Sequence, residues 1–120
     1  MHERIQFIRH QKKLILLVDF SHRPPNEVET ITRAVPDYVT SQPRGSVLVL
    51  SDFTGASFDA DAIRAIKETA VFDKPFVKKS ALVGDIHLSK EVGQKLKDFS
   101  RREFHTFRSR EEALTWLIKE

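Results

Sequence analysis

Apolar residues along this chain fall into short continuous runs separated by helical stripes. Ile5 and Phe7 alternate with polar neighbours, which predicts a half-buried edge strand over Ile5–Arg9. His10–Lys13 reads as a polar turn. Leu14–Val18 is an unbroken apolar run, the pattern of a strand covered on both faces. After Pro24-Pro25, Val28, Ile31, Val35 and Val39 recur at helical spacing, so a helix is expected over 26–41, with Pro36 shortening or kinking it. Ser46–Leu50 predicts a second buried strand, after a turn at Gln42–Gly45. Asp59 is the expected N-cap of a second helix that buries Ala62, Ile63, Ile66 and Ala70. Ser80–Gly84 predicts a third buried strand. Leu88, Val92, Leu96 and Phe99 form the stripe of a third helix, and Phe104–Phe107 alternates as a short strand. Ser109 with Glu112 has capping-box spacing before a last helix, with Leu114, Leu117 and Ile118 inward and Trp116 on its flank.

The resulting order, β-β-α-β-α-β-α-β-α, calls for crossovers onto one sheet. The expected fold class is a single α/β domain over residues 1–120. Its five-stranded sheet is mostly parallel, has an antiparallel N-terminal edge strand, and carries the helices packed on it. The expected core is Leu16, Val18, Val47, Val49, Ile63, Ile66, Leu82, Val92, Leu96, Leu114 and Leu117. No internal repeat or linker interrupts the pattern.

Composition narrows the chemistry. The absence of cysteine excludes disulfides, thiolate metal sites and cysteine nucleophiles, and agrees with a reducing, cytoplasmic setting. The charged N-terminus is no signal peptide, and the longest apolar run is far too short to span a bilayer, so membrane insertion is not expected. The net charge of +3 is unevenly spread: residues 74–110 carry ten Lys/Arg against four Asp/Glu. Such a stretch suits nucleic acid, anionic lipid or an acidic protein, but no nucleic-acid motif accompanies it and a solvated lysine face accounts for it. GxGxxG, GxxxxGK[ST] and GxSxG are absent, and four glycines do not supply a phosphate-cradling loop.

Each buried strand ends near an aspartate: Asp19, Asp52 and Asp85. Ligands of open α/β sheets bind beyond the carboxyl ends of the strands, so Asp19, Ser21, His22, Asp85 and His87 mark a candidate ligand edge. Two readings stay open. Gathered carboxylates and imidazoles bind a divalent metal or perform acid–base work. Alternatively, each aspartate ties down a turn through backbone amides. The spacing matches no metal-ligand pattern, so no metal, cofactor or catalytic residue is assigned.

The chain resembles the STAS/SEC14-like domains of the SpoIIAA-like fold, small bacterial proteins mostly without an assigned function. The matching pieces are Lys13–Ser21, Gly45–Gly55, Lys74–Gly84 and the ending Phe107, Glu111–Leu114, Trp116-Leu117. In the anti-sigma-factor antagonists of that family an Asp-Ser-Ser-Gly turn opens the second helix, and a partner kinase phosphorylates its second hydroxyl. Asp52-Phe53-Thr54-Gly55 is similar to that turn and puts Thr54 at the modified position. Phe53 replaces the first serine, and Gly84–His87 departs from the smaller turn expected of relatives. A phosphate on Thr54, near a helix start, would meet favourable amides and dipole; the plainer reading of Thr54 is a turn hydroxyl bonded to its own backbone.

The resemblance implies a non-catalytic regulatory module that binds a protein partner, switched at Thr54. Asp52, Phe53, Gly55 and Phe58 would form its interaction surface, with both phenylalanines making an exposed apolar patch. A carrier of a small apolar ligand or lipid is the alternative, and a metal-dependent enzyme at the strand-end aspartates the third reading. A homodimer is compatible with all three.

Overall fold

The structure, a computed structural model, describes residues 2–85, 93–95, 97–98, 100–101 and 104–119. The strands are β1 (Ile5–His10), β2 (Lys13–Asp19), β3 (Val47–Asp52), β4 (Val77–Val83) and β5 (His105–Phe107). They form one five-stranded sheet in the order β1-β2-β3-β4-β5. β1 pairs antiparallel with β2, and the other neighbouring pairs are parallel. The β1–β2 hairpin closes with Gln11 and Lys12 at φ 48° and 73°. Positive φ at both positions of a two-residue loop is the mark of a type I′ turn, whose twist matches the flanking strands.

The helices are α1 (Pro25–Val39), α2 (Ala60–Asp73) and α3 (Arg110–Leu117). Residues 93–95, 97–98 and 100 are also helical. The buried stripe expected for that stretch, Leu88, Val92, Leu96 and Phe99, lies outside the described residues, as does His87. α1 begins with Pro25 at its first position, where the missing N–H costs nothing. It runs through Pro36 without breaking and ends at Val39, two residues before the expected end at 41. Pro36 has no N–H for the helical bond to the Thr32 carbonyl, and the helix stops within the following turn. Asp59 caps α2 by accepting from the Ala62 amide at 2.8 Å, and Ser109 caps α3 by accepting from the Glu112 amide at 3.2 Å.

The apolar runs of the strands alternate between two cores. Leu16, Val18, Val49 and Leu82 pack with α1 and α2 on one face; Ile15, Leu17, Leu48, Leu50, Ala81 and Val83 pack with α3 on the other. The β2–β3 and β3–β4 crossovers step the same way along the sheet, so right-handedness puts α1 and α2 on the same face. Of the expected core, Leu16, Val18, Val47, Val49, Ile66, Leu82 and Leu117 are buried. Val92 and Leu96 lie outside the described residues. Ile63 and Leu114 are only half-buried. In α2 the alanines Ala62, Ala65 and Ala70 share the inward stripe with Ile66, and in α3 Ala113 with Leu117 takes the inward line that Leu114 was expected to share.

The sequential strand order has a consequence for function. The crevice that holds ligands in open α/β sheets forms where the strand order reverses. Here the parallel strands β2 to β5 never reverse, and that crevice has no place to form.

Candidate functional site

The carboxyl ends of β2 and β3 carry the same short motif, Asp-Phe-Ser-His at 19–22 and Asp-Phe-Thr-Gly at 52–55, and build the same turn from it. Asp19 Oδ1 accepts from the Ser21 amide at 3.0 Å and the Ser21 hydroxyl at 2.6 Å. Asp52 Oδ1 accepts from the Thr54 amide at 3.0 Å and the Thr54 hydroxyl at 2.6 Å. Each turn closes with a bond across four residues, from the Arg23 amide to Phe20 O and from the Ala56 amide to Phe53 O. Each then needs a left-handed residue, His22 at φ 57° and Gly55 at φ 67°. The two turns lie side by side. Asp19 pairs with Asp52 in the parallel ladder, and the Phe20 and His22 amides extend that ladder by donating to Asp52 O and Thr54 O at 2.8 Å each. The ring of His22 lies against Gly55, where any side chain would collide with it.

The plainer reading of the aspartates therefore holds for two of them: Asp19 and Asp52 tie down turns. Two arginines complete the arrangement. Arg110, the first residue of α3, donates through Nε to Asp52 Oδ2 at 2.6 Å and lies 3.3 Å from Asp19 Oδ1 through Nη2. Arg4 holds Asp19 Oδ2 at 2.8 Å. A cation at a helix N-terminus opposes the helix dipole; the two carboxylates explain why Arg110 stands there. Burial pushes the Asp19 carboxyl upward, but the Ser21 hydroxyl and amide, then Arg110 and Arg4, outweigh it and hold its pKa below the usual range.

Several expectations change here. Phe53 is buried and stacks on Phe20 with ring centroids 4.5 Å apart, and Phe58 tilts against it at 5.4 Å while half-buried. The expected exposed apolar patch at Phe53 and Phe58 does not exist, because the turn directs Phe53 into the core between sheet and helices and Phe58 packs against it. Asp52 is buried as well, leaving Thr54 and Gly55 exposed. Nor does the turn open a helix. Residues 56–59 separate it from α2, whose first turn Asp59 already caps, so no bare helix start waits beside Thr54. Asp85 is exposed two residues past β4. Among the described residues no group of three or more His, Asp or Glu side chains is placed to hold a metal ion.

Two cavities bear on the carrier reading. One of about 70 Å³ lies between the sheet and the helices, lined by Phe20, Val35, Val49, Ile66, Leu82 and Phe104 among others, with Thr32, Asp73 and Ser80 as polar wall. Ligand pockets span about 300–1,000 Å³, so the described residues enclose no room for a lipid there. The other is an open groove of about 810 Å³ between β1 and α1, with Phe7, Ala34 and Tyr38 in its floor.

A crystal structure of an uncharacterized DUF3478-family protein with a SpoIIAA-like fold, from Shewanella loihica PV-4, is similar to this chain at a TM-score of 0.74. The likeness covers 94% of this chain and 91% of that one, at 19% sequence identity. The fold is SpoIIAA-like. No family model matches the sequence, and no curated protein matches it. At this identity the likeness carries the fold alone, and what the SpoIIAA-like scaffold does here rests on its own side chains.

The sequence reading missed the duplication of the turn and the role of Arg110. The first was visible as Asp-Phe-Ser and Asp-Phe-Thr at the ends of two apolar runs. The second had no local signal, because Arg110 reaches Asp52 across 58 residues.

Proposed function

We propose that this SpoIIAA-like chain is a non-catalytic protein-interaction module whose recognition surface is the pair of turns at 19–22 and 52–55, switched by phosphorylation of Thr54. The observation that carries the reading is the placement of Thr54. It is exposed just past the central strand β3, and its hydroxyl is held by Asp52 at 2.6 Å in a turn closed by the Ala56 amide on Phe53 O and tied to the neighbouring turn by the His22 amide on Thr54 O. A presented hydroxyl on a fixed backbone suits a kinase that also binds the domain. Burial of Phe53 makes the surface polar, composed of Thr54, Gly55, His22 and Ser21, so the partner is recognised by hydrogen bonds and charge. A phosphate on Thr54 would displace the bond to Asp52 and set two anions side by side, with Arg110 the nearest bridging cation. The switch would then reorganise the Asp52–Arg110 contact as well as change the surface charge.

The test is a pull-down from the native host with phosphosite mapping, followed by Thr54→Glu and Thr54→Val. Thr54→Glu is expected to weaken partner binding and, by losing the hydroxyl bond to Asp52, to lower stability by about 1–2 kcal/mol without unfolding the chain. Unchanged binding in Thr54→Glu, with no phosphate found on Thr54, would refute the switch. Unfolding of Thr54→Val would make the hydroxyl structural.

A further inference from the structure

Large apolar residues left exposed among the described residues are Leu14, Val71 and Phe72, at 36%, 47% and 55%. Val71 and Phe72 are adjacent, on the last turn of α2, and the chain continues into the exposed Lys74-Pro75. Three chain segments bring cations to this same end, where the parallel strands begin. The Gly45 amide donates to Pro75 O at 2.9 Å, and the Arg44 guanidinium lies 5.7 Å from the centre of the Phe76 ring. Lys74 Nζ reaches Ser100 O at 3.5 Å, which sets the exposed Arg101 beside it. Lys78, also exposed, is the second residue of β4. Of the nearby acids, Glu68 pairs with Arg33 and Asp73 is buried, while the exposed Asp98 accepts from the neutral Gln94 amide. Three of the ten Lys/Arg of residues 74–110, Lys74, Lys78 and Arg101, meet at this end, whereas at the opposite end Asp19 and Asp52 are held by Arg4 and Arg110 and Asp61 lies 3.6 Å from Arg64.

We propose that this end of the molecule, centred on Val71, Phe72, Arg44, Lys74, Lys78 and Arg101, docks on the surface of an anionic lipid bilayer. An aliphatic and an aromatic side chain held outward amid cations have no role in a purely solvated lysine face. At the headgroup level of a bilayer the apolar pair leaves water while the cations meet lipid phosphates. Duplex nucleic acid would engage the same cations but would give Val71 and Phe72 nothing to enter. Such docking needs no spanning segment, and no helix among the described residues is long and apolar enough to cross a membrane. The surface is remote from the twin turns and does not depend on the function proposed for them.

The purified chain is to be sedimented with vesicles of phosphatidylcholine alone and of phosphatidylcholine mixed with phosphatidylglycerol, at low and high salt. It is expected to pellet only with the mixed vesicles and to be released by salt. Phe72→Ser should lower the partition about tenfold, as loss of a buried apolar side chain implies, and Lys78→Ala about fivefold, the contribution of one cation near such a surface. Both variants should melt like the parent chain, since both side chains are exposed. Val71→Ser repeats the apolar test independently of Phe72. Failure to pellet with the mixed vesicles overturns the proposal. So does a partition that Lys78→Ala lowers but neither Phe72→Ser nor Val71→Ser affects, with equal retention on duplex DNA; the surface would then be a polyanion site.

Discussion

Removing Arg110 tests whether the strand ends are clamped by charge. Its Nε donates to Asp52 Oδ2 at 2.6 Å, with side-chain exposures of 42% for Arg110 and 7% for Asp52. In Arg110→Ala, Asp52 Oδ1 keeps the Thr54 amide and hydroxyl, while Oδ2 loses this donor. A hydrogen bond to a charged group is worth about 1.5–3 kcal/mol. Partial exposure of the guanidinium lets water replace some of it, and relieving a cation at the α3 N-terminus returns about 0.3 kcal/mol. The expected loss is therefore about 2 kcal/mol, or about 8 °C in Tm for a domain of this size. Urea unfolding at neutral pH measures it, and a double-mutant cycle with Asp52→Asn isolates the pair. The cycle should return a coupling of about 1–2 kcal/mol; the same cycle with Asp19→Asn should return less, because that contact is longer at 3.3 Å. A loss below about 0.5 kcal/mol with no coupling to Asp52 would show that water replaces the clamp and that the twin turns stand without it.

Two further outcomes follow from the packing and the charges. Leu16 is fully buried, so Leu16→Ala should cost about 2–5 kcal/mol through the cavity it leaves, whereas Leu14→Ala, at a 36% exposed position two residues earlier, should stay near 0.5 kcal/mol; equal losses in urea midpoints would contradict the strand's facing. The Asp19 pKa is lowered in the folded state, so its contribution to stability is fully present above the unfolded value of about 4 and is lost as pH falls below it toward the folded pKa. Denaturant midpoints measured down the acid range should decline less steeply in Asp19→Asn than in the parent chain, and identical acid slopes would remove Asp19 from the clamp.

The positions of the strands, the caps Asp59 and Ser109, and the sheet with its antiparallel edge were legible in the chain, because each is written within a few residues. A continuous apolar run states that both faces of a strand are covered, and a side-chain oxygen three residues before an orphan amide states where a helix starts. The same local signals misled where a partner lay far away. Phe53 looked like a surface aromatic beside a turn; the ring of Phe20, in the neighbouring turn just past β2, stacks on it in the interior. Asp19 and Asp52 were legible as strand-end acids, but nothing near them in the chain said that Arg110 and Arg4 would meet their oxygens. Val71 and Phe72 fell in helical sequence with no mark of exposure, and the cations around them arrive from loops at 44, 74 and 101. Strand order and register decide such meetings. Local periodicity says which residues face inward but carries nothing about which distant residue they will face.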